Sequence, residues 1–205
     1  MRLYLERIMK SIPWPSDKLL KRVNHALLAS IILTNGYVLL MPLLPKVNYE
    51  LKQRITKPVK VNPADSNSVG SIDRSRDHLI LPTMQLDEPV YFGTNASLVH
   101  RGIWQRPQTN TPDKGGNTVL VGHRFTYAGA AVFYNLDKLK TGDDVYFAYN
   151  QKIYHYKVTS SAIVPPTAVE VEAPSHETKL TLYTCAPLLT AKDRLVYVAE
   201  LKEIL

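Results

Sequence analysis

Between residues 23 and 45 the chain runs for twenty-three positions without one Asp, Glu, Lys or Arg. Such a run either crosses a bilayer or must be wrapped by protein on every side, so it divides the possible folds before anything else is read. As a helix it reaches about 34 Å at roughly 1.5 Å per residue, enough for a hydrocarbon core of about 30 Å. Thr34-Asn35-Gly36 interrupts the run and Pro42 lies near its end. A membrane tolerates such residues in a helix that satisfies its own backbone. A cleavable leader has a shorter basic region, a shorter apolar core and a small-residue cleavage site, and Leu43-Leu44-Pro45-Lys46-Val47 offers none. A buried core helix would be unusually uniform. Residues 23–45 therefore read as an uncleaved signal-anchor.

The net charge of +7 belongs almost wholly to the amino-terminal part. Residues 1–60 hold eleven Lys/Arg against three Asp/Glu, whereas residues 61–205 hold fourteen against fifteen. A nucleic-acid-binding domain carries its basic residues on the folded part as a patch or stripe, so nucleic acid is set aside. Residues 1–22, with Arg2, Arg7, Lys10, Lys18, Lys21 and Arg22, read as a cytoplasmic basic segment that puts the remainder of the chain outside. Lys46, Lys52, Arg54, Lys57 and Lys60 weaken that asymmetry. Residues 46–77 hold Lys57-Pro58, Asn62-Pro63 and Gly70-Ser71 and little to bury, so they read as an extracellular tether.

From residue 78 the pattern becomes one of short strands. Leu79-Ile80-Leu81 and Pro89-Val90-Tyr91-Phe92 read as a pair separated by Asp87-Glu88. A turn-rich loop over 110–117 leads into Thr118-Val119-Leu120-Val121-Gly122. Short helical turns are expected over 95–101 and 133–139. Residues 145–149 and 152–160 pair as a hairpin across Asn150-Gln151, and 163–173 continue the β pattern with a break at Pro165-Pro166. About eight short strands with little helix predict a mainly β domain over 78–205, a closed or nearly closed β-barrel with short helices. A single cysteine allows no intrachain disulfide, so the core must hold it together.

That cysteine, Cys185, ends the strand-like run Thr181-Leu182-Tyr183-Thr184, and Arg194 opens the next run, Leu195-Val196-Tyr197-Val198. Adjacent strands would bring a nucleophile and a fixed cation together, and a thiol beside a cation can ionise and attack a carbonyl. Taken alone, Cys185 is better explained as a small buried hydrophobe, and Arg194 as a solvated strand-end residue. Of six histidines, His123 stands at a strand end after a glycine, as Cys185 stands at a strand end. Cysteine peptide chemistry needs such an imidazole to exchange protons, and a group to hold the carbonyl oxygen's developing charge.

Three pieces, Val119-Leu120-Val121-Gly122-His123-Arg124, Thr181-Leu182-Tyr183-Thr184-Cys185 and Arg194-Leu195-Val196, resemble the signature segments of the sortases, membrane-anchored cysteine transpeptidases of Gram-positive and related bacteria. The Cys-Ala-Pro run and the nine-residue step from Cys185 to Arg194 look most like class E. The chain ends at Leu205, which disfavours the pilin-assembling class with its second membrane segment.

The resemblance implies a sortase-type β-barrel and no metal or organic cofactor. It implies that Cys185 attacks the Thr–Gly bond of an LPxTG-like or LAxTG-like sorting signal. His123 would protonate the departing amine and later take a proton from the incoming one. Arg194, rather than neighbouring Arg124, would bind substrate backbone and the oxyanion. Thr184 would line the site or hydrogen-bond the bound peptide. The implied partners are sorting-signal peptides of secreted surface proteins, a cell-wall precursor amine as acceptor, and the membrane that holds a single amino-terminal anchor. A thiol–imidazole pair of this kind predicts a bell-shaped pH–rate profile. Trp104 and Phe125, near the expected groove, suit packing as well as recognition. Rival readings are a membrane-tethered cysteine peptidase that hydrolyses, a non-enzymatic wall-binding β-domain, and, more weakly, an L,D-transpeptidase.

Overall fold

The computed structural model describes residues 16–44, 47, 50, 51, 61, 69–126, 131–188 and 190–205. The chain divides into two compact units, Met1–Leu44 and Pro45–Leu205. Most of the basic segment expected over 1–22 and most of the tether expected over 46–77 lie outside the described residues.

Among the described residues the first unit holds one α-helix, α1 (Asp17–Leu40), 24 residues long or about 36 Å. Ser16 caps it, its hydroxyl accepting from the Leu19 N–H, and Asp17 sits in the first turn, where the helix dipole favours a negative charge. The helix thus begins ahead of the uncharged run and carries Lys18, Lys21 and Arg22 on its first turns. Thr34-Asn35-Gly36 does not break it. Thr34 Oγ1 donates to the Ser30 carbonyl at 2.8 Å and Asn35 Nδ2 to the Ile31 carbonyl at 2.8 Å, so both polar groups are satisfied within the helix. A single 3-10 turn, Met41–Leu43, follows where Pro42 removes a backbone donor. By length and composition α1 can cross a membrane.

The second unit is a closed barrel of eight strands: β1 (His78–Leu81), β2 (Leu86–Tyr91), β3 (Ile103–Gln105), β4 (Asn117–Val121), β5 (Asp144–Tyr149), β6 (Lys152–Val164), β7 (Lys179–Ala186) and β8 (Asp193–Ile204). Around the barrel they run β1-β2-β3-β4-β7-β8-β6-β5. β2/β3 and β4/β7 are parallel and the other pairs antiparallel, with β5 closing onto β1. The 3-10 turns Ala96–His100 and Leu136–Lys138 fall inside the segments expected to turn helically. β5 and β6 join as a hairpin whose Asn150 and Gln151 both have positive φ, 49° and 64°, the two-residue turn that matches strand twist.

Two strand boundaries differ from the sequence reading. Asp87 and Glu88 lie within β2, opposite Ile80 and Leu79, and the 3-10 turn Pro82–Met84 makes the connection instead. Their charges are tolerated because both positions are only part-buried, and Asp87 meets His78 across the pair. β6 ends at Val164 and does not continue the β pattern to 173: after Pro165-Pro166 the chain forms a 3-10 turn, Val169–Glu172.

Leu120, Leu180, Leu182, Leu195 and Tyr197 fill the barrel with side chains of alternating parity. Phe133, Leu136 and Leu139, from the connection between β4 and β5, are buried in the same core and fix the chain that leaves β4. A smaller cluster lies on the outside, where Val69 and Ile72 cover Ile80, Tyr146, Ala148 and Ile153. The packed unit therefore begins by residue 69 rather than 78, because the end of the expected tether supplies two apolar side chains to the sheet. Asp77 strengthens this attachment: its carbonyl accepts from the Val90 N–H and its carboxylate from the Asn150 N–H.

Candidate active site

The register of three strands builds the site. β4 and β7 are parallel with Val121 beside Tyr183. The alignment persists past the end of β4. The Gly122 N–H donates to the Tyr183 carbonyl at 3.4 Å, and Thr184 Oγ1 donates to the Gly122 carbonyl at 2.7 Å. Two positions beyond Val121 and Tyr183 come His123 and Cys185. On the other side of β7, Cys185 stands directly opposite Arg194 of β8. Strands lie about 4.8 Å apart, so Cys185 and Arg194 stand side by side, while His123 follows the end of β4, the strand on the other side of β7. Alternation puts Cys185 and Arg194 on the outer face, opposite in parity to the core residues Leu182, Ala186 and Leu195. Cys185 is free and half-buried.

The glycine before His123 has a steric cause. A Cβ at Gly122 would lie 2.6 Å from Val132 Cγ2 and 2.9 Å from Phe133 Cδ2, so buried Phe133 can approach only a bare backbone. The Phe133 N–H also donates to the His123 carbonyl at 3.1 Å. His123 is thereby held from both sides. Its ring is half-buried, and its Nε2 lies 3.1 Å from Nδ1 of His100, with ring centroids 4.8 Å apart. Burial, and then the charge His100 can carry, hold the His123 imidazole below its ordinary 6.5.

Arg194 is partly exposed. Its Nη1 donates to the Ala191 carbonyl at 3.2 Å and the Asp193 carbonyl at 3.0 Å, and among the described residues it forms no ion pair. Ala191 is held at φ 51°, in the left-handed region that non-glycine residues seldom adopt. Arg124, beside His123 in sequence, takes a different place: its Nη2 pairs with Asp137 Oδ2 at 2.9 Å and its side chain is only 11% exposed.

Thr184, expected to line the site, is 1% exposed and its hydroxyl is committed to Gly122. It ties β7 to the residue before His123 and offers a bound peptide no side-chain surface.

Two features escaped the sequence reading. One is His100, carried by the Ala96–His100 turn, which Asn95 caps by accepting from the Ser97 N–H at 2.9 Å. Its short spacing from Gly102 and Trp104 was the available signal. The other lies along the row before Cys185. Tyr183 donates its hydroxyl to Glu172 at 2.7 Å, and Arg106 Nε donates to the two oxygens of Glu172 at 2.9 and 3.0 Å while its guanidinium lies over Trp104. Asn117 Nδ2 donates to the carbonyls of Val171 and Ala173, and its Oδ1 accepts from Thr181 Oγ1. The segment around Val169–Glu172 is thus fastened to β4 and to β7, the strand that carries Cys185. Burial and then Glu172 push the Tyr183 hydroxyl up, so it stays a hydrogen-bond donor at neutral pH. Trp104 is 5% exposed with its Nε1 donated to the Gly93 carbonyl, which is a packing role. Among the described residues no group of three or more His, Cys, Asp or Glu side chains is arranged to hold a metal.

This architecture has counterparts. Residues 79–202 match the sortase domain family. Sortase A of Bacillus anthracis is 26% identical over 161 residues, 76% of each chain. Other curated sortases match over about half of their own length. Among solved structures, a Clostridium perfringens sortase C with the C-terminal cell wall sorting motif is similar at a TM-score of 0.56 and 27% identity, over 62% of this chain and 69% of that one. Sortase E1 of Streptomyces coelicolor, with a tripeptide in its active site, is similar at 0.56 and 25%, over 63% and 88%.

Proposed function

Because this chain belongs to the sortase family of cysteine transpeptidases, we propose that it cleaves the Thr–Gly bond of an LPxTG-like or LAxTG-like sorting signal through Cys185 and passes the acyl group to a cell-wall amine. The observation that carries this reading is the direct cross-strand pairing of Cys185 with Arg194, on the strand whose other neighbour, β4, ends two residues before His123. Cys185 Sγ, as thiolate, adds to the threonine carbonyl carbon. Arg194 donates to the oxyanion that forms; its carbonyl partners hold it near the thiol while the rest of its donor fork stays for substrate. Collapse expels the glycine amine, which takes a proton from His123. The incoming amine returns a proton to His123 as it attacks the thioester, so acid and base alternate on one ring.

We place the chain closest to class E, on the Cys-Ala-Pro run and the nine-residue step to Arg194. In the same reading α1 is a single membrane anchor, residues 1–22 face the cytoplasm, and the barrel works outside on surface proteins carrying sorting signals. Thr184 acts as a positioning residue for the backbone that bears His123.

The test is a panel of labelled sorting peptides with and without a glycine-based amine, read by mass spectrometry of the Cys185 adduct. Expected are a Cys185 thioester, and an amide product that replaces the free acid when amine is present. Hydrolysis that ignores the amine would favour the peptidase rival. Cys185→Ala should remove both adduct and product, a loss on the order of a thousandfold or more; an unchanged binding activity with no adduct would favour the wall-binding rival. The lowered His123 sets the acid limb of kcat/KM below pH 6.5, with activity lost as pH falls through it.

A further inference from the structure

We propose that His100 is a positioning residue for His123, the two imidazoles sharing one hydrogen between His123 Nε2 and His100 Nδ1 and so fixing which nitrogen of His123 serves the groove. The inference rests on the transpeptidase reading for its consequence in catalysis, but the pair itself stands on geometry. The nitrogens are 3.1 Å apart, within ordinary hydrogen-bond distance, and the rings lie at 32° to one another. His100 reaches there because the Ala96–His100 turn ends on it, just before Gly102 and β3. Gly102 keeps that approach open, since a Cβ there would meet the Tyr91 ring at 2.9 Å.

A histidine that must be acid in one half-reaction and base in the other needs a partner that tolerates both states. A carboxylate would hold the imidazolium and make it a poor acid. A neutral imidazole accepts from protonated Nε2 at less cost to acidity, and in the unprotonated state the shared hydrogen still aligns the ring. In both states Nε2 is occupied, which leaves Nδ1 of His123 for the leaving and entering amines. The proton used in catalysis passes between His123 and the amines, and no transfer to His100 is needed.

The titratable group in contact with His123 is His100, from the β2–β3 connection; the neighbouring elements carry Cys185 on β7 and Arg194 opposite it on β8, and Arg124 is paired with Asp137. The lowered proton affinity of His123, caused first by burial and then by His100, agrees with a neighbour that can itself become positive.

The experiment uses the full chain in lipid nanodiscs with ¹⁵N-labelled histidine. In the wild type, nitrogen shifts should place His123 Nε2 in the shared hydrogen bond. In His100→Ala that signature should vanish and the His123 titration should move to higher pH. Acylation kcat should fall about tenfold, the lower end for losing a group that orients a catalytic imidazole, with KM within about twofold. His100→Asn puts an acceptor oxygen near the lost Nδ1 and should recover most of kcat. Titration of His123 that is unchanged in His100→Ala overturns the proposal, as does an unchanged kcat. If the wild type forms no Cys185 adduct while the nitrogen signature is present, the transpeptidase reading fails and the pair stands.

Discussion

The barrel holds two kinds of histidine, one enclosed by acidic partners and one set against another imidazole, and the contrast bears on the proposed chemistry. On one side His78 and His155 each meet acidic side chains, one for His78 and two for His155. His78 lies 1% exposed, with Nδ1 against Asp87 and Nε2 bonded to the Asp73 carbonyl. His155 bridges Asp144 at 2.8 Å and Glu203 at 3.0 Å, with Tyr146 stacked on it at 4.6 Å between centroids. On the other side His123 has no acidic partner among the described residues; it has His100. The enclosed pair clamps strands together, since His155 joins β5, β6 and β8 and His78 joins β1 to β2. The groove pair is free to change protonation without releasing a strand. Fixed opposite charge makes a histidine structural, and its absence leaves one available for proton exchange.

The largest effect that tests the contrast is His123→Ala. It should lower acylation by about a thousandfold, within the usual span for a lost acid–base group. The melting temperature should stay within a few degrees of wild type. A large loss of stability with activity proportionally retained would erase the distinction. Arg194→Lys keeps the charge and loses the planar fork; it should cost about a hundredfold in kcat, the size of losing one oxyanion donor.

His155→Ala should do the reverse. It leaves Asp144 and Glu203 without their shared partner, at a cost of about 2–3 kcal/mol, while kcat at permissive temperature is unchanged. Thermal denaturation and steady-state rates on the same sample settle it.

Asp144 sharpens the picture through pH. Its burial works to raise the carboxyl, yet hydrogen bonds from His155 and Lys157 outweigh that and leave it below its ordinary 3.8. A carboxyl lowered on folding stabilises above its unfolded value and loses that contribution as pH falls through the folded one. Asp144→Asn should therefore cost about 1–2 kcal/mol at neutral pH, and the gap to wild type should close below pH 3.8, as measured by denaturant midpoints.

The smallest effect belongs to Thr184→Val, which keeps the shape and leaves the Gly122 carbonyl unbonded. About 1 kcal/mol of stability and a few-fold in kcat should go together, because the same bond fixes both the strand end and the backbone of His123.

Much of this was legible in the sequence because alternation and turn chemistry are local. The hairpin at Asn150-Gln151, the strand ending at Cys185 and the turn before His100 follow from neighbouring residues. The errors came where a distant partner overrode the local cue. Asp87 reads as a turn residue until the His78 ring is set against it from the neighbouring strand, and Val69 and Ile72 read as linker until the sheet they cover is known. Thr184 shows the same limit within the site. A threonine beside the proposed nucleophile suggests contact with substrate, and only the pleat reveals that it faces inward to Gly122. His100 was passed over because its neighbours Gly102 and Trp104 do not say that His123, distant in the chain, lies against it.

By itself the sequence determined the elements and their chemistry: a 23-residue uncharged run, strands with one apolar face, and a thiol, an imidazole and a guanidinium each at a strand end. Those follow from side-chain periodicity, which is written residue by residue. The tertiary structure alone decided that β4 lies parallel to β7, that Cys185 falls opposite Arg194, and that His123 meets another histidine instead of a carboxylate. Register is a property of two strands at once, and a shift of a single residue would have turned the thiol into the core.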